Sequence, residues 1–218
     1  MRVLELHRTV TDSNDRDAEI LRQELKEKNV YLINLMSSAG SGKTTFLLRT
    51  IKDLSDKLNI AVLEADIEAS VDAEKISSAG AQSIQVHTDG MCHMDAGMTR
   101  QGLEAMDLEE TDLVFLENIG NLICPAEYDT GAMSNIMILS VPEGDDKPLK
   151  YPLMFEKCDA LIVSKIDTID YFNFDFDKLK ERVEYLNKEI KIFPISAKTG
   201  AGMQEWEDWL MDRIKTGE

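Results

Sequence analysis

The segment Ser37-Ser38-Ala39-Gly40-Ser41-Gly42-Lys43-Thr44-Thr45 carries the clearest chemistry in this chain. The Walker A pattern asks for Gly, four residues, then Gly-Lys-Ser/Thr. Gly40, Gly42, Lys43 and Thr44 fit it, while Ser37 stands where the first glycine is usual. Backbone N–H groups of Gly40, Ser41, Gly42, Lys43, Thr44 and Thr45 are placed to cradle phosphates at a helix N-terminus, where the helix dipole favours negative charge. Lys43 is expected to neutralise the β- and γ-phosphates, and the Thr44 hydroxyl to bind magnesium. The bland alternative is a glycine-rich turn before a helix, and the strand–loop–helix context argues against it.

Acidic residues close two apolar runs: Asp66 follows Ala61-Val62-Leu63-Glu64-Ala65, and Glu117 follows Leu113-Val114-Phe115-Leu116. In a parallel sheet both ends face the edge that carries the phosphate loop. Either carboxylate can hold magnesium or its waters and orient an attacking water. Glu117 runs on into Asn118-Ile119-Gly120. GTPases sense the γ-phosphate through the glycine N–H of an Asp-x-x-Gly loop, so Gly120 is a candidate sensor. Lys43, Asp66, Glu117 and Gly120 are the catalytic candidates. Acids at strand ends are also common as solvated residues.

Further along, Leu161-Ile162-Val163 leads into Ser164-Lys165-Ile166-Asp167. GTPases read guanine with Asn-Lys-x-Asp: the carboxylate takes the base N1–H and N2–H₂, and the lysine stem covers the ring. Lys165 and Asp167 fit, and Ser164 replaces the asparagine that ties this loop to the phosphate loop. Ile195-Ser196-Ala197-Lys198 then matches the loop whose backbone contacts guanine O6. These loops, in this order, favour GTP and GDP over adenine nucleotides.

A different chemistry lies in Thr88-Asp89-Gly90-Met91-Cys92-His93-Met94-Asp95 and in Asn121-Leu122-Ile123-Cys124-Pro125. Thiolate and imidazole together suit nickel or zinc. Adjacent Cys92 and His93 rarely complete a site within one rigid strand, and a site shared across a two-fold axis would solve this. Spacing alone fits buried cysteines and a solvated histidine better. His87 stands near enough to add a ligand, although strand-end histidines are more often structural. Cys158, ahead of an apolar run, reads as a core residue.

Strands and helices must alternate to position these groups. Apolar, β-rich runs at 30–36, 60–63, 83–87, 113–116, 136–141, 160–163 and 191–194 predict strands. Helical spacing predicts helices at 12–28, 43–57, 72–79, 95–106, 177–187 and 204–214. The expected fold is a three-layer α/β/α P-loop NTPase with a mostly parallel central sheet. An N-terminal helical extension (1–28) precedes one nucleotide-binding domain (29–218).

At 218 residues the chain can bury a core without disulfides, and its three cysteines are too few for a disulfide framework. The formal net charge of −17 repels polyphosphate backbones and anionic lipid, so nucleic-acid and membrane binding are not expected. Met1-Arg2-Val3-Leu4-Glu5 lacks the apolar stretch of a signal peptide, which points to a cytoplasmic protein.

The phosphate loop with Leu35-Met36 before it, Cys92-His93-Met94-Asp95-Ala96, and Glu117 through Cys124-Pro125-Ala126 together resemble the HypB family of nickel-delivering hydrogenase maturation GTPases. Pro142-Glu143-Gly144-Asp145-Asp146-Lys147-Pro148-Leu149-Lys150-Tyr151-Pro152 is similar to that family too. The resemblance implies a SIMIBI-type GTPase that hydrolyses GTP slowly and dimerises when GTP is bound. It implies nickel loading into [NiFe]-hydrogenase large-subunit precursors with a small HypA-like metallochaperone as partner. Cys92, His93 and Cys124 match the family's nickel or zinc site at the dimer interface. The N-terminal helix occupies the region through which relatives recruit the metallochaperone. Met1 to Arg8 has no cysteine motif and no histidine run, unlike some relatives. The rivals are a urease-type nickel GTPase, which uses Cys-x-His, a nucleotide-gated scaffold with structural zinc, and an ATPase of the same fold.

Overall fold

Short apolar runs rich in valine, isoleucine and leucine cannot form an amphipathic helix, and they become the strands of one sheet. The computed structural model describes residues 6–65 and 75–217. Its strands are β1 (Tyr31–Ser37), β2 (Ile60–Ala65), β3 (Gln82–Val86), β4 (Leu113–Glu117), β5 (Ser134–Ser140), β6 (Ala160–Ser164) and β7 (Lys191–Pro194). All pairs are parallel, in the order β3-β2-β4-β1-β5-β6-β7. β1 is central, with β4 on one side and β5 on the other. Ligands of open α/β sheets bind beyond the carboxyl ends of the strands at such a reversal of strand order.

The helices are α1 (Leu6–Glu27), α2 (Lys43–Leu54), α3 (Ala96–Glu104), α4 (Cys124–Glu127), α5 (Lys147–Lys150), α6 (Pro152–Glu156), α7 (Phe176–Leu186) and α8 (Met203–Thr216). Residues 75–78 are also helical, as the described part of the helix expected at 72–79. Single-turn helices such as α4, α5 and α6 have too few residues to show a periodic apolar face, so periodicity does not reveal them. α3 starts at Ala96 because Asp95 caps it, its carboxylate accepting from Met98 N at 2.8 Å.

Helices cover both faces of the sheet. On one face α2 buries Phe46, Leu47, Ile51 and Leu54 against Ile33, Leu35, Phe115 and Ile138, with Trp206 and Leu210 of α8 beside them. The Phe46 and Trp206 rings lie 5.2 Å apart, and both are fully buried. Truncating either to alanine is expected to cost about 3–5 kcal/mol, which would loosen the helix that carries the phosphate loop. On the opposite face Leu21 and Leu25 of α1 pack with Leu32, Leu63, Val114 and Leu116. No helix among the described residues is long and apolar enough to cross a membrane.

Candidate functional site

The phosphate loop leaves β1 at Ser37 and enters α2 at Lys43. Gly40 (φ +76°) and Gly42 (φ +100°) adopt left-handed backbone that other residues avoid. Ser37 has no such φ, so the usual first glycine is not needed there. Its hydroxyl accepts from Lys43 Nζ at 3.0 Å and donates to the Ser38 carbonyl at 2.8 Å. Serine thus gives the lysine a local partner that glycine lacks.

A brace absent from the candidate residues comes from the segment after β5. Ser38 Oγ donates to Glu143 Oε1. Glu143 Oε2 accepts from both the backbone N and the hydroxyl of Ser140, at 2.9 and 2.8 Å. Glu143 caps the 3-10 turn Val141–Glu143 and holds the phosphate loop with the same carboxylate. Sequence reasoning missed this role, because the only signal was the Ser-x-x-Glu spacing of a capping box.

A cavity of about 600 Å³ opens over the loop, lined by Gly40, Gly42, Lys43, Thr44, Thr45, Glu117, Gly120 and Lys165. Glu64 also lines it, paired in register with Glu117 across β2 and β4. Glu64 is buried and accepts from Ser83 Oγ at 2.9 Å. It was hidden in the sequence inside an otherwise apolar run. Asp66, two residues on, lies outside the described residues. Gly120 presses on the loop itself: a Cβ there would sit 3.1 Å from Ala39 N and 3.2 Å from Ala39 Cα. Only glycine allows this approach without a shift.

The candidate base-reading loops meet each other beyond the cavity lining. Ser196 Oγ donates to Asp167 Oδ1 at 2.6 Å, and Ile166 N donates to the Ile195 carbonyl at 3.2 Å. Ala197 accepts from Arg49 Nη1 at 3.4 Å, and Lys198 is exposed. Lys165 sits in left-handed backbone (φ +61°), and its Nζ donates to the Gly40 carbonyl at 2.7 Å. Ser164 is buried and donates from Oγ to the Ser41 carbonyl at 2.7 Å. Serine in place of the usual asparagine therefore still ties this loop to the phosphate loop.

The second cluster lies close by. Cys92 Sγ, one ring nitrogen of His93 and Cys124 Sγ all lie within 4.8 Å of one another. Cys92 Sγ stands 2.8 Å from Cys124 Sγ and 3.9 Å from His93 Nδ1. A tetrahedral ion with ~2.3 Å metal–sulfur bonds separates its sulfurs by about 3.8 Å, so binding must open the pair by about 1 Å. Cys92 is exposed and Cys124 half-buried, so such an opening meets little resistance. His93 is buried and stacked on Tyr128 with ring centroids 3.8 Å apart. Burial lowers its pKa against the opposing pull of Asp95 and Glu127, which favours the neutral imidazole that ligates metals. The hydrogen bond to Cys124 raises the Cys92 thiol above its ordinary value, and metal binding there must displace its proton. His93 Nε2 is buried with no hydrogen-bond partner among the described residues. His87 is exposed and is not part of the cluster. Cys158 is buried in the core, its thiol pushed up by burial.

Comparison with known proteins bears on the family of the chain. A family profile described as CobW/HypB/UreG, nucleotide-binding domain, matches residues 31–194. Hydrogenase maturation factor HypB of Escherichia coli (strain K12) is 42% identical over 209 residues, spanning 96% of this chain and 72% of that protein. The crystal structure of HypB from Helicobacter pylori in complex with nickel superposes with a TM-score of 0.89 at 37% identity, covering 94% of this chain and 96% of the other. HypB from Archaeoglobus fulgidus gives 0.87 at 32% identity, covering 93% and 99%.

Proposed function

The chain belongs to the HypB family of hydrogenase maturation factors, within the CobW/HypB/UreG nucleotide-binding group, and on that premise we propose that it is a GTP-hydrolysing nickel metallochaperone. It binds nickel, or zinc in its place, through Cys92, His93 and Cys124 and passes nickel to [NiFe]-hydrogenase precursors. The observation that carries the reading is the continuity of the two clusters. Glu117 and Gly120 at the nucleotide cavity and Cys124 at the thiol pair share one short segment.

In this reading the N–H groups at the start of α2, with Lys43 and Lys165, concentrate positive potential in a chain of net charge −17. Lys43 neutralises the β- and γ-phosphates, and Gly120 reports on the γ-phosphate. Thr44, Glu117 and Asp66 are the groups to hold magnesium, which supplies charge neutralisation at the phosphates; the oxygen-rich lining suits it. Glu64 joins Glu117 as a candidate to orient the attacking water. Asp167 reads the guanine edge, steadied by Ser196. Three donors leave the metal site open, as transfer requires. A second copy of the chain, joined when GTP is bound, or a small HypA-like metallochaperone can complete it.

Titration with nickel and with zinc, in the presence of GDP and then of a non-hydrolysable GTP analogue, tests the reading. A delivery site binds nickel with an affinity that depends on the nucleotide and yields it to an acceptor. A structural site holds zinc with one affinity throughout, and that result would sink the proposal. Comparison of GTP with ATP for Asp167→Ala separates a GTPase from an ATPase: the variant is expected to lose the preference for guanine.

A further inference from the structure

Asparagine side chains link the rim of the nucleotide cavity to the segment of the thiol pair. Just past the end of β4, Asn118 follows Glu117 in the lining of the nucleotide cavity, and it is also buried and bonded to the segment that bears Cys92 and His93. Asn118 Nδ2 donates to Asn34 Oδ1 at 2.9 Å, and Asn34 Nδ2 donates to Asn135 Oδ1 at 3.0 Å. This ladder ties β4 to β1 and β5. Asn118 Oδ1 accepts from Ile119 N at 2.9 Å and from Met94 N at 3.3 Å.

Asn121 adds a second fastening. Its Nδ2 donates to the Cys92 carbonyl at 3.3 Å, and its Oδ1 accepts from Ile123 N at 3.0 Å. The backbone on both sides of His93 therefore hangs from the strand end that carries Glu117 and Gly120. Cys124 is held differently. Leu122 and Ala126, on either side of it, are buried with Met36, Met137 and Leu139. A displacement of the strand end would draw Cys92 through the asparagines, while Cys124, whose neighbours are packed in the core, would move by a different amount. The separation of the two sulfurs, and with it metal affinity, would change.

We propose that Asn118 and Asn121 are positioning residues that convert nucleotide state into the separation of Cys92 and Cys124. The inference rests on the nucleotide-dependent nickel site proposed above. It is specific because a buried amide bonded through both its nitrogen and its oxygen holds a single orientation. Asn118 is bonded so between Asn34 of β1 and Met94 beside His93.

The test measures nickel affinity of the full chain by competition with a chromophoric chelator, with magnesium-GDP and then with a magnesium-bound non-hydrolysable GTP analogue. The ratio of the two affinities is the readout, together with the thiolate-to-nickel charge-transfer absorption in each state. Coupled sites typically show ratios of roughly 5–150-fold. The wild-type ratio is expected to fall toward one in Asn118→Ala and to fall partway in Asn121→Ala, each measured with nucleotide at saturation. A merely structural role would weaken nickel binding equally in both states and leave the ratio intact, which overturns the inference. Asn121 is only half-buried, so Asn121→Ala decides alone if Asn118→Ala does not fold. A wild type that binds nickel identically in both states overturns the underlying reading itself. A wild type with a ratio that both variants keep overturns only the role of the asparagines.

Discussion

The phosphate loop is held by many contacts, whereas Cys92 of the thiol pair is held by few. Around the loop, Gly40 and Gly42 fix the turn, Ser37 holds Lys43, Glu143 grips Ser38, Ser164 and Lys165 bind the carbonyls of Ser41 and Gly40, and Gly120 presses on Ala39. Cys92 is exposed and suspended by one hydrogen bond to its carbonyl from Asn121, with three candidate ligands in all. Pre-organised donors suit an anion that must be bound and cleaved in one geometry. An open thiol set suits a soft cation that must leave again. The contrast teaches that rigidity is placed where chemistry is proposed, and looseness where transfer is.

Breaking one end without the other is the strongest test of that contrast. Lys43→Ala is expected to lower GTP hydrolysis by about 10²–10³-fold, read by phosphate release, while nickel affinity of the nucleotide-free chain changes by less than about twofold. Equal loss at both ends would mean that the regions are not separable. The reciprocal variant, Cys124→Ala, should weaken nickel binding by about 100-fold or more, since altering even a ligand's supporting partner costs 10–100-fold. GTP affinity should stay within about twofold of wild type in an equilibrium titration.

Smaller effects sharpen the picture inside the rigid region. Gly120→Ala places a methyl 3.1 Å from Ala39 N, so the γ-phosphate side should suffer while the diphosphate side does not. A GTP-analogue affinity about tenfold weaker, or about 1.4 kcal/mol, with GDP affinity nearly unchanged is expected from calorimetry. Ser164→Ala removes the bond to the Ser41 carbonyl, worth about 1 kcal/mol. It should weaken GTP and GDP alike by about fivefold. A loss confined to GTP would show that Ser164 acts on the γ-phosphate rather than on the frame of the loop.

Much of this was legible in the residues. Gly40, Gly42 and Lys43 announce a phosphate loop because few other segments need left-handed glycines beside a lysine at a helix start. The strands β1, β2, β4, β5 and β6 follow from apolar runs bounded by polar turns, and structure moved their ends by only a residue or two. The short helices α4, α5 and α6 left no periodic trace. Glu64 was passed over although it is the one charged residue of β2, because the run alone does not tell that its side chain reaches the cavity.

What the sequence by itself determined was the inventory: a phosphate loop, a Lys-x-Asp segment, acids at strand ends, and Cys-His and Cys-Pro segments in a parallel-sheet order. Local spacing fixes these because a turn, a cap or a strand is decided by neighbours along the chain. Tertiary structure alone decided the meetings. It set Glu64 beside Glu117, Ser164 against Ser41, Glu143 beneath the loop and Cys92 within 2.8 Å of Cys124. Those contacts join residues far apart in sequence, and only the register of parallel strands, fixed by the buried faces of the sheet, brings them together.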